Sequence, residues 1–299
     1  SVGLFLAGLA VLWLVTHHLL AALDSAVPAS GTGGGFGLHD YKVICPRINL
    51  ADANGFYCGE PAETACNKCL VEVGSDFKVT DIGAWRAMHR RALMAADQVL
   101  VPDQDAAERL ERYFPEVCFE VSPHEEIDPK QILIRTPELA ADEKLRIMVI
   151  GAIGKIKGFE VLLACARDAR QRRLPIEFIV MGYTMNDRLL QEEGVRVTGR
   201  YLEENAQRAL EALSPHVGWL PSVWPETYSY TLSIALQAGL PVVAFNIGAI
   251  ARRIREYDPA AGHCLFPLDW ANQPDQLNDR FADFRSFYLE SGMLLQQAG

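Results

Sequence analysis

The chain has 299 residues, of which 49% are apolar and 22% are charged, and its net charge is −10. This length and apolar content suit a globular protein of about two domains. The acidic balance argues against a nucleic-acid partner, because proteins that bind polyanions usually carry a dominant basic face. Arginines do cluster locally, in residues 167–173 and 252–255. These clusters are typical of solvated helix faces, with contact to an anionic membrane surface or a phosphorylated acceptor as the alternative.

The chain begins with an apolar stretch that is interrupted by His17 and His18. No Lys or Arg precedes Lys42, so the basic flank of a signal peptide is missing. The uninterrupted run of about fifteen residues is shorter than the roughly 20 that a membrane-spanning helix needs. We therefore predict a buried strand and helix for residues 2–22, with a membrane-associated segment as the alternative. Because an initiator Met is absent, we also expect a fragment that lacks the start of its first domain.

The chain has seven cysteines, and an odd number favours a reducing cytoplasm over a secreted disulfide framework. Four of them lie close together in the first half of the chain: Cys45, Cys58, Cys66 and Cys69. Four thiolates could hold a structural zinc ion, although their spacing is not a paired Cys-x-x-Cys repeat, so ordinary thiols stay the alternative. We expect no catalytic metal and no cofactor.

A change in composition divides the chain near residue 143. Residues 121–146 carry three prolines and dense charge without periodicity, as linkers between packed units do. The sequence therefore predicts a first domain over residues 1–143, which includes the linker, and a second domain over residues 144–299.

The second domain alternates short apolar runs with segments of helical period. The apolar runs are residues 145–150, 176–181, 195–199, 216–220 and 240–245. The helical segments are residues 159–173, 186–193, 205–214 and about 228–238. Because the runs are apolar on both faces, they predict a parallel sheet covered by helices on both sides, in a doubly wound Rossmann-like α/β domain. Its ligand should bind beyond the carboxyl ends of the strands.

The turn after the first apolar run reads GAIGKIKG, residues 151–158. Gly151 and Gly154 permit close approach of the backbone to a ligand, and the N-terminus of the following helix favours an anion. Lys155 and Lys157 add positive charge. This pattern predicts a phosphate site, with a plain strand-to-helix turn as the alternative, because it is neither a Walker motif nor a GxGxxG motif.

A single carboxylate, Glu226, lies in the loop WPETYSY, residues 224–230, just before an apolar helix. A carboxylate at a helix N-terminus stabilises the helix by roughly 1 kcal/mol, so a capping role is the alternative to any function. After the last apolar run, Asn246 and Gly248 form another turn that should face the same crevice.

The order GAIGKIKG, then PETYSYTLSIALQAGLPVVA, then NIG resembles the nucleotide-sugar half of a GT-B glycosyltransferase of the retaining family 4. The resemblance covers about residues 39–270 and implies an α/β fold of the GT-B type. It implies a complete Rossmann-like second domain and an incomplete Rossmann-like first domain on the acceptor side. In the first domain, GLHDYKVICPR resembles a strand end at which His39, next to Asp40, lines the cleft near the transferred sugar.

The resemblance also implies a role for each residue of the two loops. It implies that the glycine turn and its lysine hold the donor diphosphate, through Gly151, Gly154 and Lys157, with Lys155 as a second cation. It implies that Glu226 binds hydroxyl groups of the donor sugar, inside a turn that is formed by Thr227, Tyr228 and Ser229, and that Gly248 lies in the same crevice.

Two positions depart from the family's pattern. Ile234 stands where the family has a second glutamate that usually binds the ribose, and Ala152 stands where an arginine usually follows the first glycine. Either the donor is held differently here or the activity has been lost.

The activity that the resemblance implies is transfer of a sugar from a nucleoside-diphosphate sugar to a saccharide or lipid-linked acceptor, with a retained anomeric configuration. Such transfer would serve polysaccharide or cell-envelope glycan biosynthesis, in the cytoplasm or peripherally at the inner face of the membrane. Two alternatives stay open. One is a non-catalytic module that binds a nucleotide or glycan, which Ile234 and the short first domain favour. The other is a nucleotide-sugar isomerase of the same fold.

Overall fold

A computed structural model describes residues 27–28, 35–125, 127–256 and 264–297, so the prediction for residues 2–22 lies outside the described residues. The chain divides into two compact units. The first contains the described residues up to Ile48 together with Ala62–Pro123, and the second contains Asn49–Pro61 and the chain from His124 onward. This division falls earlier than the predicted boundary near residue 143. The segment Asn49–Pro61, which the sequence analysis assigned to the first domain, belongs to the second unit.

The first unit carries a four-stranded sheet in the order β1–β2–β3–β4. Its strands are β1 (Val27–Pro28), β2 (Gly35–Gly37), β3 (Gln98–Val101) and β4 (Phe119–Val121). The first pair is antiparallel, and the other two pairs are parallel. Its described helices are α1 (Glu63–Glu72), α2 (Ile82–Met94) and α3 (Gln104–Glu111). Helix α2 begins after Asp81, whose carboxylate accepts a hydrogen bond from Ala84 N at 3.1 Å.

The second unit carries a sheet of six parallel strands. They are β5 (Leu145–Ile153), β6 (Ile176–Thr184), β7 (Arg196–Val197), β8 (Val217–Leu220), β9 (Val242–Phe245) and β10 (Cys264–Phe266). Their spatial order is β10–β9–β8–β5–β6–β7, which is the doubly wound Rossmann order. The order reverses between β5 and β8, where Ile147 pairs with Val217. The predicted parallel α/β architecture of this half is confirmed.

Helices and one-turn 3₁₀ segments connect these strands. The α-helices are α4 (Phe159–Arg172), α5 (Asp187–Glu192), α6 (Ala206–Leu213), α7 (Tyr230–Gln237), α8 (Gly248–Arg255) and α9 (Pro274–Gln297). The 3₁₀ segments are Pro129–Gln131, Glu203–Asn205 and Leu268–Asn272. Among the described residues, none of the helices combines the length and the apolar character that crossing a bilayer would need.

Each face of the six-stranded sheet has its own core. Alternate side chains of β5 point to opposite faces, so Ile147 packs in one core and Met148 in the other. On the Ile147 face, Trp219 of β8 lies 5.8 Å from Phe178 of β6 and 5.2 Å from Phe281 of α9, measured between ring centroids. Burial of these rings fixes α9 against the sheet.

Strands β5 and β6 are longer than the apolar runs that predicted them. Residues 151–153 continue β5 because they pair in register with residues 182–184 of β6. The pairing needs glycine at position 182. Its φ is 141°, and a Cβ built at this position would collide with the carbonyl oxygen of Gly151. The sequence patterns do not predict β10 or α9. Strand β10 has only three residues, too few for a period to be recognised.

Candidate functional site

The predicted glycine turn joins β5 to α4 and is closed by its own backbone. Lys157 N and Phe159 N both donate to Gly154 O at 3.1 Å, and Gly158 N donates to Lys155 O at 3.1 Å. Gly158 precedes α4 with φ of 84°, and a Cβ at this position would collide with the carbonyl oxygen of Pro221. Only glycine satisfies both conditions, so this residue fixes how closely the turn approaches the loop after β8.

The loop after β8 carries Glu226 into the interior. The carboxylate does not cap α7, because Ser229 does so, accepting a hydrogen bond from Leu232 N at 3.3 Å. Glu226 is only 3% exposed. The capping alternative for this residue is therefore wrong, and its burial needs another explanation.

That explanation is an ion pair with the lysine of the glycine turn. Lys157 Nζ lies 2.5 Å from Glu226 Oε2, and the Ser222 hydroxyl donates to the other carboxylate oxygen. A buried carboxylate is stable only when its oxygens are paired in this way. The lysine side chain keeps 37% of its surface exposed, so the pair opens to solvent on the lysine side.

The pair lies at the topological switch point of the sheet. Lys157 follows β5 and Glu226 follows β8, and these are the neighbouring strands between which the strand order reverses. In doubly wound sheets, ligands bind in the crevice outside the carboxyl ends of the strands at this point. The structure thus brings together the two residues on which the sequence analysis most depended.

The turn after β9 adjoins the same loop, as the sequence analysis expected. Gly248 has φ of 67°, and a Cβ at this position would lie 2.7 Å from Pro225 Cα. Ala249 N donates to Glu226 O at 2.9 Å. The N-terminus of α8 therefore packs directly against the backbone of Glu226.

The remaining residues of the Glu226 turn have distinct surroundings. Thr227 and Ser229 are buried, whereas Tyr228 is half-buried. The Tyr228 hydroxyl lies 3.3 Å from Glu125 Oε2. Burial raises the pKa of the Tyr228 hydroxyl, and the neighbouring Arg253 charge opposes part of that shift, so the phenol is protonated at neutral pH.

Arg253 is a structural residue of the site that the sequence analysis missed, because it counted residues 252–255 as a solvated helix face. The guanidinium is buried, donates to Ser229 O and to Ser233 Oγ at 2.9 Å each, and lies 4.3 Å from the Tyr228 ring centroid. The signal was available: Arg253 follows Ile250 by three positions and precedes Ile254, so the helical period places it on the apolar face of α8.

Lys155, the second predicted cation, contacts a different segment. Its Nζ donates to Ala53 O at 3.2 Å, within the segment Asn49–Pro61 that belongs to this unit.

The two departures from the family's pattern have ordinary structural surroundings. Ile234 is half-buried in α7 and packs against the apolar core on that face of the sheet. Ala152 is exposed and pairs with Tyr183 across β5 and β6.

His39 lies in the first unit, shortly after β2, and its side chain is exposed. Its neighbour Asp40 accepts a hydrogen bond from Lys42 N at 2.8 Å, which closes the turn locally. Within the described ranges, no three His, Cys, Asp or Glu side chains are grouped closely enough to hold a metal ion. The structure therefore does not assemble a zinc site from Cys45, Cys58, Cys66 and Cys69.

The chemistry available at the switch point is binding of an anion next to a polyol. A lysine ammonium and the N-terminus of α4 favour an anionic group. A desolvated carboxylate accepts strong hydrogen bonds from hydroxyl groups. A ligand that carries both features would suit these two groups.

Residues 144–281 match the family model described as glycosyl transferases group 1. This part of the chain is similar to the group 1 glycosyl transferases. The match contains both the glycine turn and Glu226. No curated protein matches the sequence at a significant level.

The chain is also similar to several solved structures. Sucrose-phosphate synthase from Thermosynechococcus elongatus superposes with a TM-score of 0.54 at 18% identity, over 88% of this chain and 67% of its own. The pneumococcal O-GlcNAc transferase GtfA in complex with UDP and GlcNAc gives 0.48 at 17% identity, over 70% of this chain and 41% of its own. Anabaena Alr3699/HepE in complex with UDP and glucose has a TM-score of 0.45 at 13% identity, over 69% of this chain and 61% of its own.

At sequence identities this low, the similarity is evidence for the fold alone. The mixed α/β architecture with parallel sheets is that of the GT-B glycosyltransferases, which confirms the predicted fold class. The chain spans 41% of the length of GtfA and 61% of the length of HepE.

Proposed function

We propose that this chain is the donor-binding part of a glycosyltransferase that moves a sugar from a nucleoside-diphosphate sugar to a hydroxyl of a saccharide or lipid-linked acceptor. The anomeric configuration is retained. The reaction serves polysaccharide or cell-envelope glycan synthesis, in the cytoplasm or at the inner face of the membrane. The observation that carries the proposal is the Lys157–Glu226 pair at the switch point of a domain that is similar to the group 1 glycosyl transferases.

The lysine side of the pair serves the leaving group. When the bond between the sugar and the diphosphate breaks, negative charge grows on the diphosphate. The Lys157 ammonium and the N-terminus of α4 stabilise that charge without reorganising, since the turn is already closed by its own hydrogen bonds. Gly154 assists because a Cβ built there meets no atom within 4 Å, so the backbone is open to a ligand. Gly151, with φ of 113°, shapes the start of the turn.

The carboxylate side serves the sugar. Glu226 accepts hydrogen bonds from sugar hydroxyls. Two further hydrogen bonds keep the residue in place: the Ser222 hydroxyl donates to its carboxylate, and Ala249 N donates to its backbone oxygen. Thr227, Tyr228, Ser229 and Gly248 complete the turn that holds it. His39 of the first unit is the third residue to which we assign a catalytic role.

Product analysis tests the reaction class. The protein is incubated with UDP-, GDP- and ADP-sugars and a saccharide acceptor. A free nucleoside diphosphate with a new glycoside of unchanged anomeric configuration is the expected result. An altered donor sugar would instead indicate a nucleotide-sugar isomerase. Binding of the nucleotide sugar without any product would indicate a non-catalytic binding module.

A pair of variants tests the site. Glu226→Gln removes the charge and keeps the shape, and we expect kcat to fall by about 10²-fold or more. Glu160→Gln is the matched control, because Glu160 is an exposed carboxylate in the first turn of α4. Equal kcat and equal donor KM for Glu226→Gln and the wild type would refute the role of this carboxylate.

The non-catalytic module is a second candidate, and one observation favours it. Ile234 occupies the position of the ribose-binding glutamate and packs into the core. Ile234→Glu should strengthen nucleotide binding if the donor still lies in the family's pose, and product analysis separates the module from the enzyme.

A further inference from the structure

The segment Asn49–Pro61 forms a small closed hairpin, which we call the 49–61 hairpin. Ala51 and Tyr57 form an antiparallel bridge, and Asp52 N donates to Phe56 O at 2.7 Å. The Asp52 carboxylate accepts hydrogen bonds from Asn54 N at 2.8 Å and from Phe56 N at 3.0 Å. Gly55 at the tip has φ of 85°, a conformation that suits glycine. The hairpin is therefore held in shape by its own contacts.

The 49–61 hairpin is bonded to both loops of the candidate site through one residue. Tyr57 N donates to Val223 O at 2.8 Å, and Val223 N donates to Ile156 O at 3.0 Å. Ile156 lies inside the glycine turn, and Val223 lies in the loop that carries Glu226. Phe56 packs against the same apolar core that contains Val223. The backbone of Val223 thus joins the hairpin, the glycine turn and the Glu226 loop.

Lys155 makes a second connection between the hairpin and the glycine turn. Its Nζ donates to Ala53 O at 3.2 Å. Its aliphatic stem lies across Gly55, where a Cβ would come within 2.8 Å of both Lys155 Cδ and Cε. A side chain at position 55 would displace this stem, and the stem in its present position directs the ammonium of Lys155 to the hairpin backbone.

We propose that the 49–61 hairpin is a positioning element of the donor site, and that Lys155 is a positioning residue and not a ligand of the diphosphate. The hairpin fixes the position of the glycine turn through Lys155 and Val223. The glycine turn then fixes the position of Lys157. The inference rests on the proposed function, since it assumes that Lys157 meets the donor diphosphate. It matters because a displacement of about 1 Å at a reacting group can cost roughly 10²-fold in rate.

Two glycine variants provide the first test. Gly55→Ala and Gly59→Ala both place a Cβ on a residue with positive φ, but only Gly55 has Lys155 beside it, whereas position 59 has no atom within 4 Å. The dissociation constants of UDP, GDP and ADP are measured by titration calorimetry. For the nucleotide that binds most tightly, we expect Gly55→Ala to raise the dissociation constant at least about fivefold. Gly59→Ala should change that constant less than about twofold. Equal effects of the two variants would overturn the proposal.

A double-mutant cycle with Lys155 provides the second test. Lys155 is exposed, so its replacement should not disturb folding. Lys155→Met and Gly55→Ala break the same connection, so the double variant should bind no more weakly than the weaker single variant. Lys155→Met should also keep the wild-type dependence of affinity on salt, whereas Lys157→Met should reduce it. Additive losses, or a reduced salt dependence in Lys155→Met, would mean that Lys155 contacts the diphosphate directly.

The outcome for the wild-type chain separates this inference from the proposed function. If the wild type binds none of the three nucleoside diphosphates, the proposed function fails and this inference fails with it. If the wild type binds and Gly55→Ala binds equally well, only the role of the hairpin is refuted.

Discussion

Single residues set the geometry of the candidate site, and Gly158 illustrates how. The residue combines a left-handed backbone with a contact to the Pro221 carbonyl that leaves no room for a side chain. Arg253 acts at the same scale, because its guanidinium holds the backbone of Ser229 and the hydroxyl of Ser233. Both residues act on the loops around Glu226 without forming part of the Lys157–Glu226 pair.

Gly158→Ala should lower the free energy of unfolding by about 3 kcal/mol or more, since a Cβ collides with backbone and the φ angle is unfavourable. Gly154→Ala is the matched control in the same turn, where a Cβ meets no atom within 4 Å. Its effect should stay below about 1 kcal/mol. Urea unfolding of the two variants measures both values. A similar loss at the two positions would contradict the close packing that we describe at Gly158.

Arg253→Met should destabilise the protein by about 2–4 kcal/mol, because it leaves two buried acceptors without their donor. The neighbouring Arg252 is the control. Its partner is Glu256 on the surface of the same helix, so Arg252→Met should cost less than about 0.5 kcal/mol. Thermal unfolding distinguishes the two. A stable Arg253→Met variant would show that these acceptors find other donors.

At the scale of elements, the contact between β5 and β8 determines where the two site loops meet. His216 precedes β8 and is buried, and its Nδ1 accepts a hydrogen bond from Arg146 N of β5 at 2.9 Å. Burial, assisted by the Arg146 charge and opposed by Glu143, lowers the pKa of His216 to about 4. The imidazole is therefore neutral in the folded protein at physiological pH, and the contact between the two strands depends on that neutral form.

This pKa makes stability depend on pH. The ordinary pKa of His is 6.5, so between pH 6.5 and about 4 the unfolded chain binds a proton that the folded chain refuses. Stability is fully present above pH 6.5 and falls as the pH decreases toward 4. His89, whose pKa is lowered by burial, contributes in the same direction. Urea unfolding at pH 5, 6 and 7 measures the slope.

His216→Asn should reduce that slope, because the variant has no imidazole to protonate. The control is His89→Asn, which should reduce the slope by its own share. An unchanged slope in His216→Asn would mean that His216 takes up its proton at the same pH in the folded and the unfolded chain.

At the scale of the whole molecule, the second unit is discontinuous in sequence. The 49–61 hairpin is covalently part of the first half of the chain, yet Phe56 packs in a core of the second unit. A domain cut at the predicted linker would lose this hairpin. The boundary that composition suggests is therefore not the boundary that packing creates.

A fragment of residues 124–299 tests this discontinuity. A synthetic peptide of residues 49–61 should bind the fragment and raise its melting temperature by a few degrees, since full burial of a Phe side chain is worth about 1.5–3 kcal/mol and Phe56 is half-buried. The same peptide with Phe56→Ala is the control and should give less than half of the shift. If millimolar wild-type peptide leaves the melting temperature unchanged, the hairpin is not an independent part of this unit.

The sequence by itself determined the parallel α/β class, five of the six strands of the second unit, and the two loops that carry Lys157 and Glu226. It could do so because apolar period, glycine position and helix ends are local properties that a short window of residues expresses. Only the tertiary structure decided that Ser229 and not Glu226 caps α7, that Arg253 is buried, and that Lys155 contacts the 49–61 hairpin. These outcomes depend on strand order and on contacts between residues far apart in the chain, such as the 69 positions between Lys157 and Glu226. No local pattern encodes such a distance, because it is set by the packing of the whole sheet.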